Sequence, residues 1–473
     1  VTGSLRRIRP PGSRIPAGSN PVLEGPIART LLGLSVPMIL AMFLVTGFGL
    51  VDMLYLGRYS KEAMAAIGLA FPLTYLLHTV GGALGTACTS LASRLIGGGE
   101  ERQVRNLVLH VQLVVLGASA VIMPFGLLIL EPVLSAKDFA PEVVRQAVQY
   151  GQIYFLGSLF SLFAMSNNAL FRGEGDTMFP FKVMATALLL NVVIDPLFIF
   201  GPGPFPRLGV VGAAVTTVVT LGVAAVIVAR ELGNRGRKVH FKRSAWRFDP
   251  NLLRDLGGVA APALVANLAM PTSVFLINGM LENHGTEAVA AFAAGIRLLS
   301  FVFLPTLGVS LSMMIMVGQN HGAGQRKRVE KITLTTLGFC LSLLAALALP
   351  VIIFPRWALG IFTDEPAVIA AGAPLARWVT LARPMLSVVN ITAFWFQARG
   401  NGLAGMVPNT VLRVLFEPLG VYLGLQVTGA LAGGWYGMAI GDAIGGTVFL
   451  VVLLWRLRVY VRSAPSPIEG APV

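Results

Sequence analysis

The sequence predicts an all-α polytopic membrane protein of twelve transmembrane helices in two pseudo-symmetric six-helix lobes. Three observations carry that expectation. Of 473 residues, 55% are hydrophobic and only 12% are charged, and the mean hydropathy is +0.75. An ordinary soluble protein carries about 25% charged residues, so a soluble surface of this size could not be covered. Apolar runs long enough to cross a bilayer, about 20 residues each, recur twelve times, and the second half of the chain echoes the first. The composition excludes a soluble enzyme and a disordered chain. The 53 glycines have no triplet period, which excludes a collagen-like chain.

Residues 1–28 are polar and rich in Pro, Gly and Arg, without an apolar core and small-residue cleavage site, so they read as a cytoplasmic tail and not a cleaved signal. Arg6-Arg7 is followed by Pro10 and Pro11, not by the apolar stretch of a twin-arginine signal. Spans 1 to 6 then fall near 29–56, 65–95, 107–133, 141–171, 179–203 and 209–230, making an N-lobe of 29–230. A basic linker at 231–255 carries Arg235, Arg237, Lys238, Lys242, Arg243 and Arg247. Spans 7 to 12 fall near 256–281, 288–319, 331–355, 367–398, 407–428 and 433–457, making a C-lobe of 256–457 with a tail at 458–473. Prolines and glycines interrupt many of these runs, which membrane helices tolerate.

The basic residues set the orientation. About 26 of the 36 Lys and Arg lie in the termini and the even-numbered loops, which by the positive-inside rule puts both termini in the cytoplasm. The same rule accounts for the net charge of +14 without nucleic acid, and juxtamembrane basic segments meet anionic membrane lipids. Cys88 and Cys340 both sit inside apolar runs, and the five histidines show no metal-ligand spacing, so no disulfide framework and no catalytic metal are implied.

The internal repeat is ordered. Lys61-Glu62-Ala63-Met64-Ala65-Ala66-Ile67 is echoed by Thr286-Glu287-Ala288-Val289-Ala290-Ala291-Phe292, and Arg172-Gly173-Glu174-Gly175 by Arg399-Gly400-Asn401-Gly402. Asp195-Pro196-Leu197 is echoed by Glu417-Pro418-Leu419, and Gly212 to Thr217 by Gly437 to Asp442. Six spans is an even number, so the halves are parallel repeats about an axis along the membrane normal. Duplicated halves that rock around a central cavity are a transporter design.

Charge inside the membrane costs at least about 2.5–3.5 kcal/mol per group. In the N-lobe the exceptions are Asp52 and Asp195, and Asn191 lies four residues before Asp195, on the same helix face. Pro196 removes a backbone donor and frees a carbonyl one turn earlier. Neither aspartate has a Lys or Arg nearby in its own span. An unpaired carboxylate in an apolar setting holds a proton readily; with Asn191 and a hydroxyl such as Thr217, the same oxygens would suit a sodium ion. The alternative for each is a span-end carboxylate bonded to backbone or water. In the C-lobe, Arg413 and Glu417 are four apart and expected to pair, whereas Asp442 could be neutralised by Arg297 or Arg383.

Taken together, Val51-Asp52-Met53 with Gly57, Arg172 to Thr177, Asn191 to Pro196 and Gly209 to Thr217 resemble the multidrug and toxic compound extrusion (MATE) family, over residues 29 to 460. The chain is most similar to the DinF-like branch. That resemblance implies cation coupling in the N-lobe through Asp52, Asn191, Asp195 and Thr217, supported by Tyr150 and Asn168, with Pro37 as the bend point of span 1. The chain departs from the NorM-like branch: span 7 has no carboxylate, and span 10 reads Val388-Val389-Asn390-Ile391-Thr392 where that branch has an aspartate.

The expected function is efflux of cationic, amphipathic organic compounds, exchanged for protons or sodium by alternating access. The expected setting is the bacterial inner membrane, as a monomer, with no cofactor and no nucleic-acid partner. Two rivals remain. A lipid-linked precursor or glycan flippase would need Arg297, Arg377 and Arg383 facing one cavity without acidic partners. A membrane-embedded enzyme would need a nucleophile, metal or acid–base pair, and no such cluster is spaced along the chain.

Overall fold

The protein was analysed as a computed structural model, which describes residues 20–136 and 139–463. Most of the N-terminal tail, including Arg6-Arg7, and the end of the C-terminal tail lie outside the described residues. A short helix α1 (Pro21–Glu24) precedes α2 (Ile27–Tyr59), α3 (Lys61–Gly97), α4 (Glu101–Ser135), α5 (Pro141–Leu156), α6 (Ser158–Glu174), α7 (Met178–Phe200) and α8 (Val210–Leu232). The second half contains α9 (Pro250–Leu281), α10 (Thr286–Gly322), α11 (Arg326–Ile353), α12 (Pro355–Gly360), α13 (Pro366–Ala398), α14 (Gly402–Val411), α15 (Glu417–Thr428) and α16 (Leu431–Arg462).

Eleven spans are each long and apolar enough to cross a bilayer, and α5 with α6, bent by 50°, makes the twelfth. These are the twelve spans expected, with shifts at their ends. The bend in span 4 was not expected, because no proline marks it. It falls at Gly157, where a methyl group would collide with the Val218 side chain of α8. Span 9 ends at Ile353, two residues early, because Pro355 starts α12. Span 11 starts earlier than its apolar run and contains a π-turn at Leu412–Phe416. Pro418 cannot donate to the Val414 carbonyl, and the Glu417 N–H instead reaches the Leu412 carbonyl.

Local signals set the ends of the helices. Ser60 separates α2 from α3 and accepts a hydrogen bond from the Ala63 N–H, 3.0 Å, as an N-cap. Gly175 closes α6 at φ 100° and Gly201 closes α7 at φ 66°, a left-handed conformation that a side chain would strain.

In the C-lobe α13 is central, packed against α10, α11, α14 and α16; in the N-lobe α3 holds α4, α5 and α6. The lobes meet where α2 packs on α10, and where α3 packs on α9 and α10. This seam is tightest at the end that carries residues 20 and 463. There Gly97 lies against the Gln319 carbonyl, Gly318 against Ser93 and Gly322 against the Arg94 carbonyl, each too close for a methyl group. Ser90 donates to the Gln397 carbonyl across the same seam. Gln319 donates to the Gly173 carbonyl, 2.8 Å, and accepts from Asn20, 2.9 Å, so the segment before α2 is tied into it. Midway along the spans the lobes still touch, at Gly308 against Ile39 and at Asn267 against Gly82.

The inter-lobe linker is docked on the N-lobe. Arg237 bonds Asp176 at 2.7 Å and Glu231 at 2.6 Å while covering the rings of Phe171 and Phe179. Asn106 exchanges two hydrogen bonds with the Arg247 backbone, and the Asp249 N–H donates to His110 Nε2, 3.0 Å. Part of the linker's positive charge is therefore spent on fixing it in place.

Candidate functional site

Asp52 on α2 and Asp195 on α7 are both buried, and their carboxyl groups are neighbours. Asn191 Nδ2 donates to Asp195 Oδ1 at 3.0 Å, as helical i,i+4 spacing allows. One carboxylate oxygen of each aspartate, and the Asn191 Oδ1, are buried without a hydrogen-bond partner. Among the described residues no Lys or Arg forms an ion pair with either carboxylate.

The helices that carry this pair are joined beside it. Pro196 has no N–H to offer the Val192 carbonyl, and that carbonyl instead accepts from Tyr55 Oη at 3.1 Å. Tyr55 is one turn after Asp52, so a single hydrogen bond pins α2 to α7 at the level of the carboxylates. Tyr150 is buried on α5 in the neighbourhood of both aspartates, and its ring stacks on Tyr154 at 6.1 Å. Tyr154 Oη in turn meets His78 Nδ1 at 3.1 Å. From α8, Thr216 lies beside Asp195 with its hydroxyl donated to the Gly212 carbonyl, 2.9 Å, while the buried Thr217 hydroxyl has no partner.

Of the residues expected from sequence, Asp52, Asn191 and Asp195 thus come together, with Tyr150 in their neighbourhood; in place of Thr217, it is the adjacent Thr216 that lies beside Asp195. Asn168 is buried on α6 with an unpartnered Oδ1, and among the described residues no hydrogen bond ties it to the carboxylates. Pro37 is buried on α2, fifteen residues or about 22 Å of helix before Asp52. It lies next to the point where Gly308 of α10 closes on Ile39. Tyr55, Tyr154 and His78 were missed, because a tyrosine or histidine in an apolar run gives no signal until the facing helix is known, and between the adjacent Thr216 and Thr217 the spacing alone could not choose.

The site has the chemistry of a small-cation receptor. Two carboxylates out of water repel each other and lose several kcal/mol of solvation apiece. A proton shared between them would relieve both costs, and so would a sodium ion held by the free oxygens of Asp52, Asp195 and Asn191 with the Thr216 hydroxyl beside them. Among the described residues no group of three or more His, Cys, Asp or Glu is arranged for a metal ion, so a sodium site would depend on the amide and hydroxyl oxygens.

The C-lobe counterpart is neutralised by its own residues. Arg413 Nη1 bonds Glu417 Oε1 at 2.8 Å, and Ser273 Oγ donates to Glu417 Oε2 at 2.9 Å. Arg383 on α13 stands 3.7 Å from both Glu417 and Asp442. Arg383 therefore faces Asp442, and Arg297, exposed on α10, takes no part in the cluster. Both Asp442 oxygens lack a hydrogen bond, Arg383 is the ion-pair partner of Asp442, and Arg413 adds positive charge nearby. Two cations balance two anions.

Comparison with known proteins places this architecture. The MatE family model matches residues 37–197 and 262–422, one copy per lobe. The FAD transporter of Shewanella oneidensis is 30% identical over 87% of this chain and 94% of its own. The probable multidrug resistance protein NorM of Thermotoga maritima is 26% identical over 91% of this chain and 94% of its own. A crystal structure of MATE in the straight conformation superposes with a TM-score of 0.88 at 23% identity, covering 94% of this chain and 99% of the other. With both lobes matched by the family model, the chain is a member of the MatE family, a transporter and not an enzyme.

Proposed function

We propose that this transporter is an antiporter of the DinF-like kind, which exports cationic, amphipathic organic compounds in exchange for protons or sodium bound at Asp52, Asn191 and Asp195. The observation that carries the reading is the pair of buried carboxylates on two different helices, each with a free oxygen and neither with a cationic partner. Relatives that match along most of the chain are named probable multidrug resistance proteins, which supports the reading.

The seam closed at the end bearing residues 20 and 463 supports an outward-open state, with both termini cytoplasmic and the bacterial inner membrane as the setting. In that state the carboxylates take up a cation as the drug leaves. Neutralised, they no longer repel, and α2 is free to bend at Pro37, where the helix already lacks one backbone hydrogen bond. Bending closes the N-lobe cavity, the seam parts, and the cation is lost to the cytoplasm before drug rebinds. Coupling arises because cation and drug prefer different states; equal preference would shift nothing. One chain supplies both lobes and the whole cycle, so the working unit is a monomer.

A second reading is a flavin dinucleotide or another anionic substrate, in line with the name of the Shewanella oneidensis relative. The exposed Arg297, without an acidic partner among the described residues, supports it. The flippase reading gains no such support. Arg383 is paired with Glu417 and Asp442, and Arg377 donates to the Ile352 carbonyl away from it.

The test is flux from proteoliposomes loaded with ethidium, or in parallel with FAD, under a pH gradient or a sodium gradient imposed separately. Ethidium movement driven by one gradient and lost in Asp195→Asn supports the cation antiporter and names its ion. Movement of FAD but not ethidium overturns the substrate class and leaves the coupling site standing. Movement of neither by folded protein overturns the reading.

A further inference from the structure

At the end of the C-lobe remote from residues 20 and 463, a cleft of about 620 Å³ opens between α11, α12, α13 and α16. Its wall combines Phe354, Arg356, Trp357, Arg377, Trp378 and Tyr436. No lining residue comes from α2, α3, α9 or α10, the helices at which the lobes meet, so the cleft stands apart from the seam. Arg377 Nε donates to the Ile352 carbonyl at 3.1 Å, which orients its guanidinium. Among the described residues neither Arg356 nor Arg377 has a carboxylate within ion-pair distance. Trp378 and Tyr436 meet edge to face at 5.6 Å, and Trp357 is 66% exposed beside them.

Depth in the membrane says what covers this surface. Tyr436 lies five residues into α16 and Arg377 eleven residues into α13, about 8 and 16 Å from their helix starts. Helix α13, at 33 residues, is about 50 Å long against a hydrocarbon core of about 30 Å. The cleft therefore spans the headgroup layer and the top of the acyl chains. Tryptophan and tyrosine belong there, and an arginine stem reaches upward from slightly deeper. Two guanidinium groups on one cleft wall, neither held by a carboxylate, match the oxygens of a phosphate diester.

We propose that this cleft binds an anionic phospholipid of the leaflet opposite the termini. Arg356 and Arg377 hold the headgroup phosphate, and Trp357, Trp378 and Tyr436 pack on the glycerol and upper chain. The site is independent of the translocated substrate and of the coupling ion.

The test is tryptophan fluorescence in phosphatidylcholine vesicles containing a small fraction of brominated phosphatidylglycerol or, in parallel, brominated phosphatidylcholine. The anionic lipid should quench in excess, reflecting roughly tenfold to thirtyfold enrichment from two arginines. That excess should vanish in Arg356→Gln/Arg377→Gln and in Trp357→Phe/Trp378→Phe, and largely survive in Arg356→Lys/Arg377→Lys. The lysine pair and monodisperse gel filtration separate loss of the site from loss of the fold. Equal quenching by the two lipids overturns the proposal, as does an excess that survives the glutamine pair. If inorganic phosphate at millimolar concentration abolishes the excess, the cleft takes a free anion and the lipid assignment falls.

Discussion

Asp195→Asn separates coupling from folding, because the structure gives the amide everything the carboxylate had except charge. The new side chain still accepts from Asn191 Nδ2, the 3.0 Å bond of the native site. Its NH₂ group replaces an oxygen that had no partner, and it can donate toward the orphaned Asp52 oxygen. The fold should therefore be kept. What disappears is the repulsion between two carboxylates, about 4 kcal/mol at a separation of about 4 Å and an effective dielectric of about 20. That energy is a factor of roughly 10³ between the cation-free and cation-bound lobes, enough to reverse which conformation dominates. With it gone, the N-lobe no longer distinguishes whether a cation is present. The assay is paired flux in proteoliposomes: uphill accumulation under an imposed gradient, and exchange of labelled for unlabelled substrate with no gradient. The variant should lose accumulation down to leak level and keep exchange. A variant that still accumulates substrate to the wild-type ratio would refute the assignment of Asp195 as carrier.

Three further outcomes are expected. Tyr55→Phe leaves the half-buried Val192 carbonyl without its donor, which costs about 1 kcal/mol; the melting temperature should fall and uphill flux should slow, and unchanged values in both would disprove the pin between α2 and α7. Gly322→Ala places a methyl group against the Arg94 carbonyl and wedges the seam, so spin-label distances between the ends of α3 and α10 should lengthen by several ångströms, a shift absent from Gly338→Ala, where nothing lies nearby. Arg383→Met strands Asp442 and should destabilise the protein by about 3–5 kcal/mol, while Arg383→Met/Asp442→Leu should recover most of it, read as thermal melting in detergent.

Composition and charge bias made the twelve spans legible because a bilayer imposes one requirement on every crossing segment, and an apolar run announces it. What bends a span is not announced. The break at Gly157 depends on Val218 packing from another helix, and the π-turn before Pro418 depends on which carbonyl the proline leaves free. The site divides along the same line. Asp52 and Asp195 stand out because charge is costly in the membrane, and Asn191 because it is one turn from Asp195. Tyr55 and Thr216 are ordinary residues until α7 and α8 are brought beside α2. The choice between Arg297 and Arg383 as partner of Asp442 was undecidable for the same reason: it is set by the packing of α13 on α16, and no spacing along the chain encodes it.

The repeat itself offers a reason why the proposed cation site lies in one lobe and not in the other. Both lobes carry a carboxylate immediately before a proline, Asp195-Pro196 and Glu417-Pro418, and both place a donor four residues earlier on the same face. In the N-lobe that donor is Asn191, which bonds Asp195 and leaves its charge intact; in the C-lobe it is Arg413, which bonds Glu417 at 2.8 Å and cancels it. The difference between an unpaired carboxylate and a closed ion pair thus resides largely in one position. Asn191→Lys should move the N-lobe toward the C-lobe condition, by supplying a resident cation where the coupling ion would sit. The variant should fold, lose uphill flux, and lose any change in melting temperature between low and high sodium or between acid and neutral pH. Asn191→Gln, which lengthens the side chain without charge, should retain the cation response in part. If the lysine variant still couples flux to a gradient, the charge at this position does not decide which lobe carries the ion, and the asymmetry between the lobes has another origin.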